Sequence, residues 1–398
     1  MQDPHSVGNP PDSEALPHAH TSLRFVSGMG EFNIAEWNTL AGAQPFLNHA
    51  FLSALENTRC VHAQTGWQPH HLGMWCNGHL AAAMPLYIKS HSYGEYVFDW
   101  RWAEAYEQSG GQYFPKLLCA IPFTPVPGLR LLANSEQDRA ALVQTTIEFA
   151  RQAGLSSFHC LFPDNSPDGG SDNVLAQSGM MQRQGYQFHW HNPGYADFED
   201  FLATLTHDKR KKIRQERRKV ADAGVRFETR CGKDIRESDW AFFHQCYAHT
   251  YRLHRSTPYL NLEFFLQLGA SLPQHLAIII GSRDGQPLCA ALNLYDQNRL
   301  YGRYWGALDY VPGLHFEACY YQGMEFCIAQ KLRVFEGGAQ GEHKLARGFL
   351  PVITHSWHWL ADNQFGQAVG NFLQREGRAT ECYVSELEGP YKKQPGQS

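Results

Sequence analysis

The spacing of hydrophobic and polar residues over positions 299–351 predicts a strand, a helix, a second strand and a loop, in that order. Aromatic and small residues alternate over residues 300–306, which is typical of a strand whose glycines allow close backbone approach. Apolar residues then recur at nearly helical spacing over residues 314–331, and residues 332–335 form a short apolar strand. A glycine-rich polar loop, residues 336–344, follows. Because α/β proteins place their chemistry in loops at strand ends, we predict that this stretch contains the active or binding site.

The two halves of the chain show the same order of strand and turn signals. In the first half, the turn glycine Gly78 lies 16 residues before Gly94 of an aromatic segment. In the second half, the turn glycine Gly285 lies 17 residues before Gly302 of the strand described above. A strand rich in small residues follows each turn. The pattern predicts a duplicated α/β unit.

This duplication predicts five segments. They are a disordered leader, an N-terminal domain, a basic bridging helix, a C-terminal domain and a tail, over residues 1–20, 21–194, 195–224, 225–390 and 391–398. Within the N-terminal domain, residues 89–102 alternate in the manner of a strand. Ser135 and Gly154 are placed to begin and end a helix.

The composition excludes several classes of protein. The 398 residues suit two domains, and a formal net charge of −5 gives no general signal for nucleic acid. No apolar run is long enough for a membrane span, and residues 1–20 lack the apolar segment of a secretory signal. The ten cysteines include no C-x-x-C pair, which favours free thiols in a reducing cytoplasm. The 21 histidines have no partners at metal-ligand spacing, so no metal site is predicted.

Six segments of the chain resemble a known family. They are KSHSYGEYVFDW, IPFTPVPG, RKKIRQERRKV, LYGRYWG, LHFEACYYQG and GAQGEHKLARGFLP. Through them the chain is similar, over about residues 46–387, to the FemAB-like proteins, a peptidoglycan biosynthesis/recognition family within the GNAT acyltransferase superfamily. The resemblance implies an α/β fold of two tandem GNAT-like domains, of the acyl-CoA N-acyltransferase type, with mixed central sheets. The related Fem ligases transfer an amino acid from aminoacyl-tRNA to an amine of a cell-wall precursor.

One segment departs from the superfamily pattern. A standard GNAT domain holds the pyrophosphate of acetyl-CoA on a Gln/Arg-x-x-Gly-x-Gly/Ala loop at a helix N-terminus. Residues 310–316 stand at that place here, with a single glycine followed by Leu, His and Phe. No cofactor is therefore assigned with certainty. The expected donor is an activated acyl group, either an aminoacyl-tRNA or an acyl-CoA.

Three residues of the predicted central helix are candidates for catalysis. Glu317 and His315 lie near its start, where a carboxylate or an imidazole is suited to take a proton from an attacking amine. Tyr321 is suited to donate a proton to a leaving group. The alternatives are that Glu317 only complements the helix dipole and that Tyr321 only packs in the core.

A larger set of residues is predicted to bind substrate. The second half offers backbone amides and charged side chains suited to a phosphate or carboxylate, at Arg303, Tyr304, Gly338, Gln340, Glu342, His343, Lys344 and Arg347. The alternatives there are a solvated loop and an internal ion pair of Arg303. The first half offers aromatic rings and carboxylates suited to a sugar or peptide, at Tyr93, Glu95, Tyr96, Asp99 and Trp100. The alternative there is a strand that exposes alternate polar residues.

The basic bridging segment supplies candidates for anion binding. Arg210, Arg214 and Arg217 recur at spacings of four and three residues, so they share one face of a helix. The resemblance implies that such a helix meets a phosphate of a nucleotide-linked or tRNA substrate. The alternative is a solvated helix face, which is the usual role of a run of charges.

Together these features predict a cytoplasmic enzyme that transfers an acyl or aminoacyl group to an amine. Its partners are expected to be a small molecule or peptide, with charged tRNA as a candidate donor. Neither DNA nor a membrane span is expected. The alternative function is non-catalytic recognition of peptidoglycan or muropeptide, on a degenerate GNAT scaffold, through the aromatic residues of the first half.

Overall fold

A computed structural model describes residues 20–164, 170–338, 341–387 and 389–392. Its strands are β1 (Thr21–Val26), β2 (Trp67–Pro69), β3 (His71–Cys76), β4 (His79–Met84), β5 (Leu86–Lys89), β6 (Lys116–Cys119), β7 (Leu132–Ala133), β8 (Ser157–Leu161), β9 (Met181–His191), β10 (Val225–Cys231), β11 (Leu276–Arg283), β12 (Gln286–Tyr295), β13 (Arg299–Ala307), β14 (Val334–Glu336) and β15 (Leu350–Leu360).

Helices cover these strands. They are α1 (Ile34–Ala41), α2 (His49–Asn57), α3 (Trp100–Gln108), α4 (Glu136–Gln152), α5 (Ser171–Gln177), α6 (Phe198–Thr204), α7 (His207–Asp222), α8 (Glu237–Leu253), α9 (Leu262–Ser271), α10 (Leu314–Phe316), α11 (Gln322–Gln330) and α12 (Asn363–Glu386). A π-helical turn, Glu317–Tyr321, joins α10 to α11. At α4 the Ser135 hydroxyl accepts from the Asp138 amide, and Gly154 follows the helix with φ of 64°, as the capping pattern predicts.

The strands form two sheets. One has the order β1-β3-β4-β7, and the other has the order β10-β11-β12-β13-β14-β9-β15-β8-β6-β5-β2. Most neighbours in the larger sheet are antiparallel, but β13–β14 and β6–β8 are parallel. The predicted mixed central sheet is therefore confirmed.

Tight turns close the hairpin of each half. Asn77 and Gly78 join β3 to β4 with φ values of 52° and 85°, and Asp284 and Gly285 join β11 to β12 with φ values of 52° and 75°. Two consecutive left-handed residues twist a hairpin in the direction that its strands require, and Asn-Gly and Asp-Gly tolerate that conformation best. The predicted correspondence of these two turns is confirmed.

The last strand of each half lies beside strands of the other half. β9 comes from the first half but pairs with β14, with Phe335 opposite Trp190. β15 comes from the second half but pairs with β8, with Trp357 opposite Cys160. β9 and β15 also pair with each other, at the centre of the larger sheet. The predicted domain boundary at residue 194 follows β9, so each half of this sheet is completed by the other half of the sequence.

The helices of the two halves also pack against one another. The rings of Phe51 on α2 and Phe264 on α9 meet edge to face, with centroids 5.7 Å apart. The Asn261 side-chain amide donates to the Thr58 carbonyl at 2.9 Å. Buried residues of both halves therefore belong to one hydrophobic cluster.

Residues 89–102 do not form the predicted strand. β5 ends at Lys89, a loop follows, and α3 begins at Trp100. Gly94 and Tyr96 have φ values of 80° and 64°, in the left-handed region that breaks a strand. The prediction was wrong because the alternation of aromatic and polar residues here serves a folded loop with a buried side and an exposed side.

The predicted bridging helix is interrupted. α6 and α7 are separate helices, and Leu205 between them is extended, with ψ of 156°. Leu205 also forms an isolated β-bridge with Tyr391. The chain therefore turns between the acidic start of this segment and its basic part.

β14 pairs with only the first part of β13. They pair over only three positions, of which the last is Tyr301 opposite Glu336. β13 continues beside β12 as far as Ala307, whereas β14 ends at Glu336. Among the described residues, β13 has no β14 partner beyond Tyr301, and it packs against α8.

Replacement of Gly306 by alanine is expected to destabilise the protein by about 3 kcal/mol or more, because α8 touches β13 at this glycine. A Cβ atom at residue 306 would lie 2.0 Å from the Cys246 carbonyl oxygen, which is backbone and cannot rotate away. Urea unfolding measures the loss. Gly30→Ala is the matched control, because a Cβ there meets nothing within 4 Å. Equal midpoints for the two variants would contradict the close contact.

Candidate functional site

Three adjoining cavities run from the start of α10 to the strand pair β9–β15. The helix-start cavity, of about 560 Å³, lies between α8, the end of β13 and α10. The junction cavity, of about 280 Å³, lies between the loop of residues 94–98 and the end of α8. The central cavity, of about 300 Å³, lies between the same loop, β9, β15 and α12. They adjoin because Thr250 and His254 line the first two, and Tyr96 and Phe98 line the last two.

The helix-start cavity has mainly apolar walls. Trp305 and Ala307 line it from β13, and Leu314 and Phe316 line it from α10. His315 also lines it, with its ring centroid 4.8 Å from that of Trp305. Burial lowers the pKa of His315 to about 4, so its imidazole is neutral at pH 7. The predicted catalytic residue His315 therefore lies in a cavity wall, in a form that can accept a hydrogen bond or a proton.

The predicted catalytic residue Glu317 is engaged in an ion pair. It is 4% exposed and accepts hydrogen bonds from Arg217 of α7 at 3.0 to 3.2 Å. Arg217 also donates to Glu325 at 2.8 Å, and Gln322 donates to Glu317 at 2.8 Å. These contacts hold α7 against the π-helical turn. A catalytic role for Glu317 stays a prediction, and Arg217 is turned inward rather than toward a solvent anion.

A second buried network involves Tyr321 and Arg347, both predicted site residues. Arg347 is 2% exposed and donates to both carboxylate oxygens of Glu216, at 2.6 and 3.1 Å. It also donates to the Tyr321 hydroxyl at 3.1 Å and stacks on the ring of Phe316 at 3.4 Å. Tyr321 in turn donates to Glu216. Each of these polar groups has a hydrogen-bond partner within the network. The network joins α7 to the end of the glycine-rich loop.

Lys344 of the glycine-rich loop is buried as well. It is 1% exposed and donates to the Gly338 carbonyl at 2.7 Å. Burial lowers the pKa of Lys344 to about 8. The two predicted residues therefore contact each other, and their role in substrate binding stays a prediction. Gln340 lies outside the described residues.

His343 and Glu342 of this loop contact neighbouring helices. His343 Nε2 lies 2.9 Å from the hydroxyl of Tyr320 in the π-helical turn. Glu342 accepts a hydrogen bond from Tyr383 of α12. The loop is therefore joined to two helices through residues that the sequence pattern singled out.

Arg303 and Tyr304 of β13 face the first half of the chain. The Arg303 guanidinium donates to the Phe123 carbonyl, and the Tyr304 hydroxyl donates to the same oxygen at 3.2 Å. Arg303 Nε is buried without a hydrogen-bond partner among the described residues. Glu336 is paired instead with Arg299, at 2.8 Å. The alternative of an ion pair between Arg303 and Glu336 is therefore not observed, and Arg303 joins the two halves.

The aromatic residues of the first half divide into exposed and buried sets. Tyr93 and Trp100 are 56% and 38% exposed, with ring centroids 4.9 Å apart. Tyr96 lines both the junction cavity and the central cavity. Glu95 and Asp99 are only 4% and 3% exposed. Aromatic rings of the predicted binding surface are therefore exposed, whereas its two carboxylates are buried and face the protein interior.

The three arginines of the basic helix do not form one cluster. Arg217 lies inside the ion-pair network described above. Arg214 is exposed and paired with Glu199, and Arg210 is half-buried. Their predicted shared role in anion binding stays a prediction.

Residues 28–393 match the family of FemAB-like proteins, described as peptidoglycan biosynthesis/recognition. The chain belongs to this family. Among curated protein sequences, none matches this FemAB-like chain significantly. No helix among its described residues is both long enough and apolar enough to cross a membrane.

Solved structures align with most of this FemAB-like chain. FemX aligns with a TM-score of 0.51 and 11% identity, over 85% of this chain and 99% of FemX. The C-terminal domain of an Agrobacterium fabrum protein described as a lysylphosphatidylglycerol synthetase aligns with a TM-score of 0.50 and 10% identity, over 87% of this chain and 96% of that domain. A tandem GNAT protein from the clavulanic acid pathway aligns with a TM-score of 0.46 and 11% identity, over 86% of this chain and 99% of its own. The FemAB-like chain therefore shares the fold of FemX, and the predicted α/β fold class is confirmed.

A buried polar cluster in the FemAB-like chain was missed by the sequence analysis. Lys116 is fully buried and donates to Glu95 at 2.9 Å, to Ser92 at 2.8 Å and to Asp99. Burial raises the pKa of Glu95 to about 7, against the attraction of Lys116. Burial alone would also raise the pKa of Asp99, but Lys116 and His159 hold it well below its ordinary value. No motif marks Lys116, since it lies at least 17 residues from either carboxylate.

Proposed function

We propose that this FemAB-like protein transfers an acyl or aminoacyl group from an activated ester or thioester to an amine of a cell-wall peptide or its precursor. Family membership supports a function connected with peptidoglycan. The observation that carries the proposal is the line of three adjoining cavities, which gives a donor and an acceptor separate places that meet.

The donor's acyl end is assigned to the helix-start cavity. This cavity lies at the carboxyl end of β13, the position at which α/β sheets commonly bind ligands. The side chains of Leu314, His315 and Phe316 line it, where a pyrophosphate site would present bare amides. This favours an aminoacyl-tRNA donor, which needs no pyrophosphate loop, over an acyl-CoA donor. Such a donor requires a cytoplasmic location, which forms part of the proposal.

The acceptor is assigned to the junction and central cavities. Tyr96 and Phe98 line both of them, and the exposed pair Tyr93 and Trp100 belongs to the same segment. Aromatic faces of this kind bind sugar rings and peptide groups through large, rigid contact areas. The acceptor amine would then approach the donor from the central side.

The chemistry needs little from the protein beyond position and proton transfer. The donor ester is already activated, so holding it against the amine supplies much of the rate. The attacking amine must lose a proton, which requires a base within hydrogen-bond reach. His315 is neutral and lies in the donor cavity, whereas Glu317 is held by Arg217. We therefore favour His315 over Glu317 as the group that hydrogen-bonds to the donor, and we place the base on the acceptor side.

A transfer assay tests the proposal. Charged tRNAs and acyl-CoAs would be offered as donors to UDP-linked muropeptides and to free muropeptides, with product masses measured. We expect an acceptor mass increase equal to one aminoacyl group, dependent on both the donor and the protein. Failure of every donor and acceptor pair, together with a higher melting temperature on addition of muropeptide alone, would instead support recognition without catalysis.

The exposed rings of Tyr93 and Trp100 favour this recognition function as the second candidate. Trp100→Ala is expected to weaken muropeptide binding at least about tenfold, equivalent to about 1.4 kcal/mol, because it removes one face of the aromatic pair. Isothermal titration measures the affinity. Ile34→Ala, at a residue that is 59% exposed on α1, is the control and should bind normally. Unchanged affinity in Trp100→Ala would remove this surface from both candidate functions.

A further inference from the structure

A continuous row of hydrogen-bonded, buried polar side chains begins at the central cavity, and we call this row the polar file. Ser356 of β15 lines that cavity, and its Oγ lies 2.9 Å from His358 Nε2. His358 Nδ1 lies 2.7 Å from His159 Nδ1 of β8. The three residues are 3%, 1% and 1% exposed. Buried polar groups are costly unless each has a partner, and here each contacts the next.

The two histidines share a single proton between their Nδ1 atoms. A hydrogen bond needs one donor and one acceptor, so only one of the two Nδ1 atoms carries hydrogen. Burial lowers the pKa of His159 to about 3 and that of His358 well below its ordinary value, so both rings are neutral. When His358 carries the Nδ1 proton, its Nε2 accepts from Ser356 and His159 donates from Nε2. The opposite tautomers reverse the bond between the two rings and the bond to Ser356, and His159 Nε2 then accepts from the Ser157 hydroxyl at 2.8 Å.

The far end of the file is the buried carboxylate cluster. His159 Nε2 lies 2.8 Å from the Ser157 hydroxyl and 3.4 Å from the Tyr113 hydroxyl, which donates to Asp99 Oδ2 at 2.7 Å. Lys116 joins Asp99 to Glu95. One oxygen of each carboxylate, Asp99 Oδ1 and Glu95 Oε1, is buried without a hydrogen-bond partner among the described residues. The cluster therefore has unused acceptor positions for a proton.

The exchange of strands assembles this file. β15, from the second half, supplies Ser356 and His358, and β8, from the first half, supplies His159. His358 lies directly opposite His159 in the register of the two strands. Without the exchange, the cavity end and the carboxylate end would belong to separate sheets.

We propose that this file is a proton relay, in which Ser356 faces the acceptor amine in the central cavity and Glu95 is the receiving carboxylate. The inference rests on the proposed transfer reaction and adds the route by which the amine loses its proton. Ser356 is then a catalytic residue, and His358, His159 and Tyr113 position and pass the proton behind it.

The proton balance of the relay follows from the bonds that change. The acceptor enters as an ammonium group and loses two protons. Its nitrogen forms a bond to the acyl carbon, the ester C–O bond breaks, and the leaving oxygen takes one of the two protons and departs as an alcohol. As the amine proton passes to Ser356 Oγ, the Ser356 hydroxyl proton passes to His358 Nε2. The Nδ1 proton of His358 passes to His159 Nδ1, and the Nε2 proton of His159 passes through Tyr113, Asp99 and Lys116 to Glu95. Of the two protons that the ammonium group loses, one leaves with the alcohol and the other reaches Glu95.

Substitutions of Ser356 test the relay in the transfer assay. Ser356→Ala should lower kcat by about 100-fold or more while KM stays within about twofold, because the loss falls on proton transfer. Ser356→Thr retains the hydroxyl and should restore most of the rate. The wild type should show a solvent deuterium isotope effect on kcat that Ser356→Ala alters, and the exposed-site control Ser271→Ala should match the wild type. A kcat and isotope effect in Ser356→Ala equal to those of the wild type would overturn the relay.

Nitrogen-15 NMR of labelled histidine tests the relay without any transfer assay. Difference spectra with His159→Gln and His358→Gln identify the two rings among the 21 histidines of the chain. The relay requires opposite neutral tautomers at pH 7, and two identical tautomers or an imidazolium would overturn it. If the wild type transfers nothing from any donor, the proposed function fails. The NMR result then tests the file by itself, because a relay needs a proton on just one of the two Nδ1 atoms.

Discussion

Replacement of Lys116 by methionine is expected to lower the free energy of unfolding by about 3–5 kcal/mol, because it leaves two buried carboxylates without their main cation. Lys116 is fully buried and contacts both Glu95 and Asp99. A second buried lysine beside this cluster, Lys89, lies 3.9 Å from Glu95 and cannot replace Lys116. Urea unfolding at pH 8 measures the loss. Lys212→Met, on the exposed face of α7, is the control and should change stability by less than about 0.5 kcal/mol.

The deficit of Lys116→Met should shrink as the pH falls. In the wild type, Lys116 and His159 hold the pKa of Asp99 below its ordinary value, so this carboxylate stays ionised in the folded protein. Without Lys116, burial raises the pKa of both Asp99 and Glu95, and the folded variant binds protons that the unfolded chain does not bind. Its stability therefore rises relative to the wild type between pH 8 and pH 5. Equal deficits at the two pH values would contradict the assignment of Lys116 as the partner of these carboxylates.

Replacement of Ala307 by tryptophan is expected to lower kcat/KM by about 100-fold or more, equivalent to about 2.7 kcal/mol of transition-state stabilisation. Ala307 lies at the end of β13 in the wall of the helix-start cavity, on the same side of the strand as Trp305. An indole at this position would occupy the space assigned to the acyl end of the donor. The transfer assay measures kcat/KM, and thermal shift with the donor alone measures its binding.

The matched control for Ala307→Trp is Ala105→Trp. Ala105 is exposed on α3 and lines none of the three cavities described above. Both variants should retain the circular dichroism spectrum of the wild type, and Ala105→Trp should retain its activity. If Ala307→Trp transfers at the wild-type rate, the donor does not bind in the helix-start cavity, and the junction and central cavities would have to accommodate both substrates.

Local sequence signals determined the repeated units and several of their elements. The turns at Gly78 and Gly285 and the helix between Ser135 and Gly154 depend on the conformational preferences of a few adjacent residues, so they can be predicted without the rest of the chain. The segments that resemble FemAB-like proteins are long and specific, which is why the family and the tandem fold were also predictable. The sequence likewise singled out His315, which lies in a cavity wall.

Only the tertiary structure decided which charged groups are available for chemistry. Glu317 and Arg217 are 100 residues apart in sequence, and Arg347 and Glu216 are 131 residues apart, yet each pair is closed into an ion pair. Charge at a position can be identified from the sequence, but whether a distant residue neutralises that charge depends on how helices dock. For the same reason, the ion pairs and the hydrogen bonds around them hold α7 in place. They do so through four predicted site residues, which are Arg217, Glu317, Tyr321 and Arg347.

Tertiary structure also decided the pairing of β9 and β15. Alternation of apolar and polar residues predicts that a segment forms a strand, but it does not specify which strand lies beside it. The exchange of these two strands brings Ser356 and His358 next to His159, almost 200 residues away, and joins the central cavity to a buried carboxylate cluster. The sequence by itself determined the family, the repeat and the local elements, because these depend on neighbouring residues. The cavities, the ion pairs and the polar file depend on long-range packing, and only the folded chain defines them.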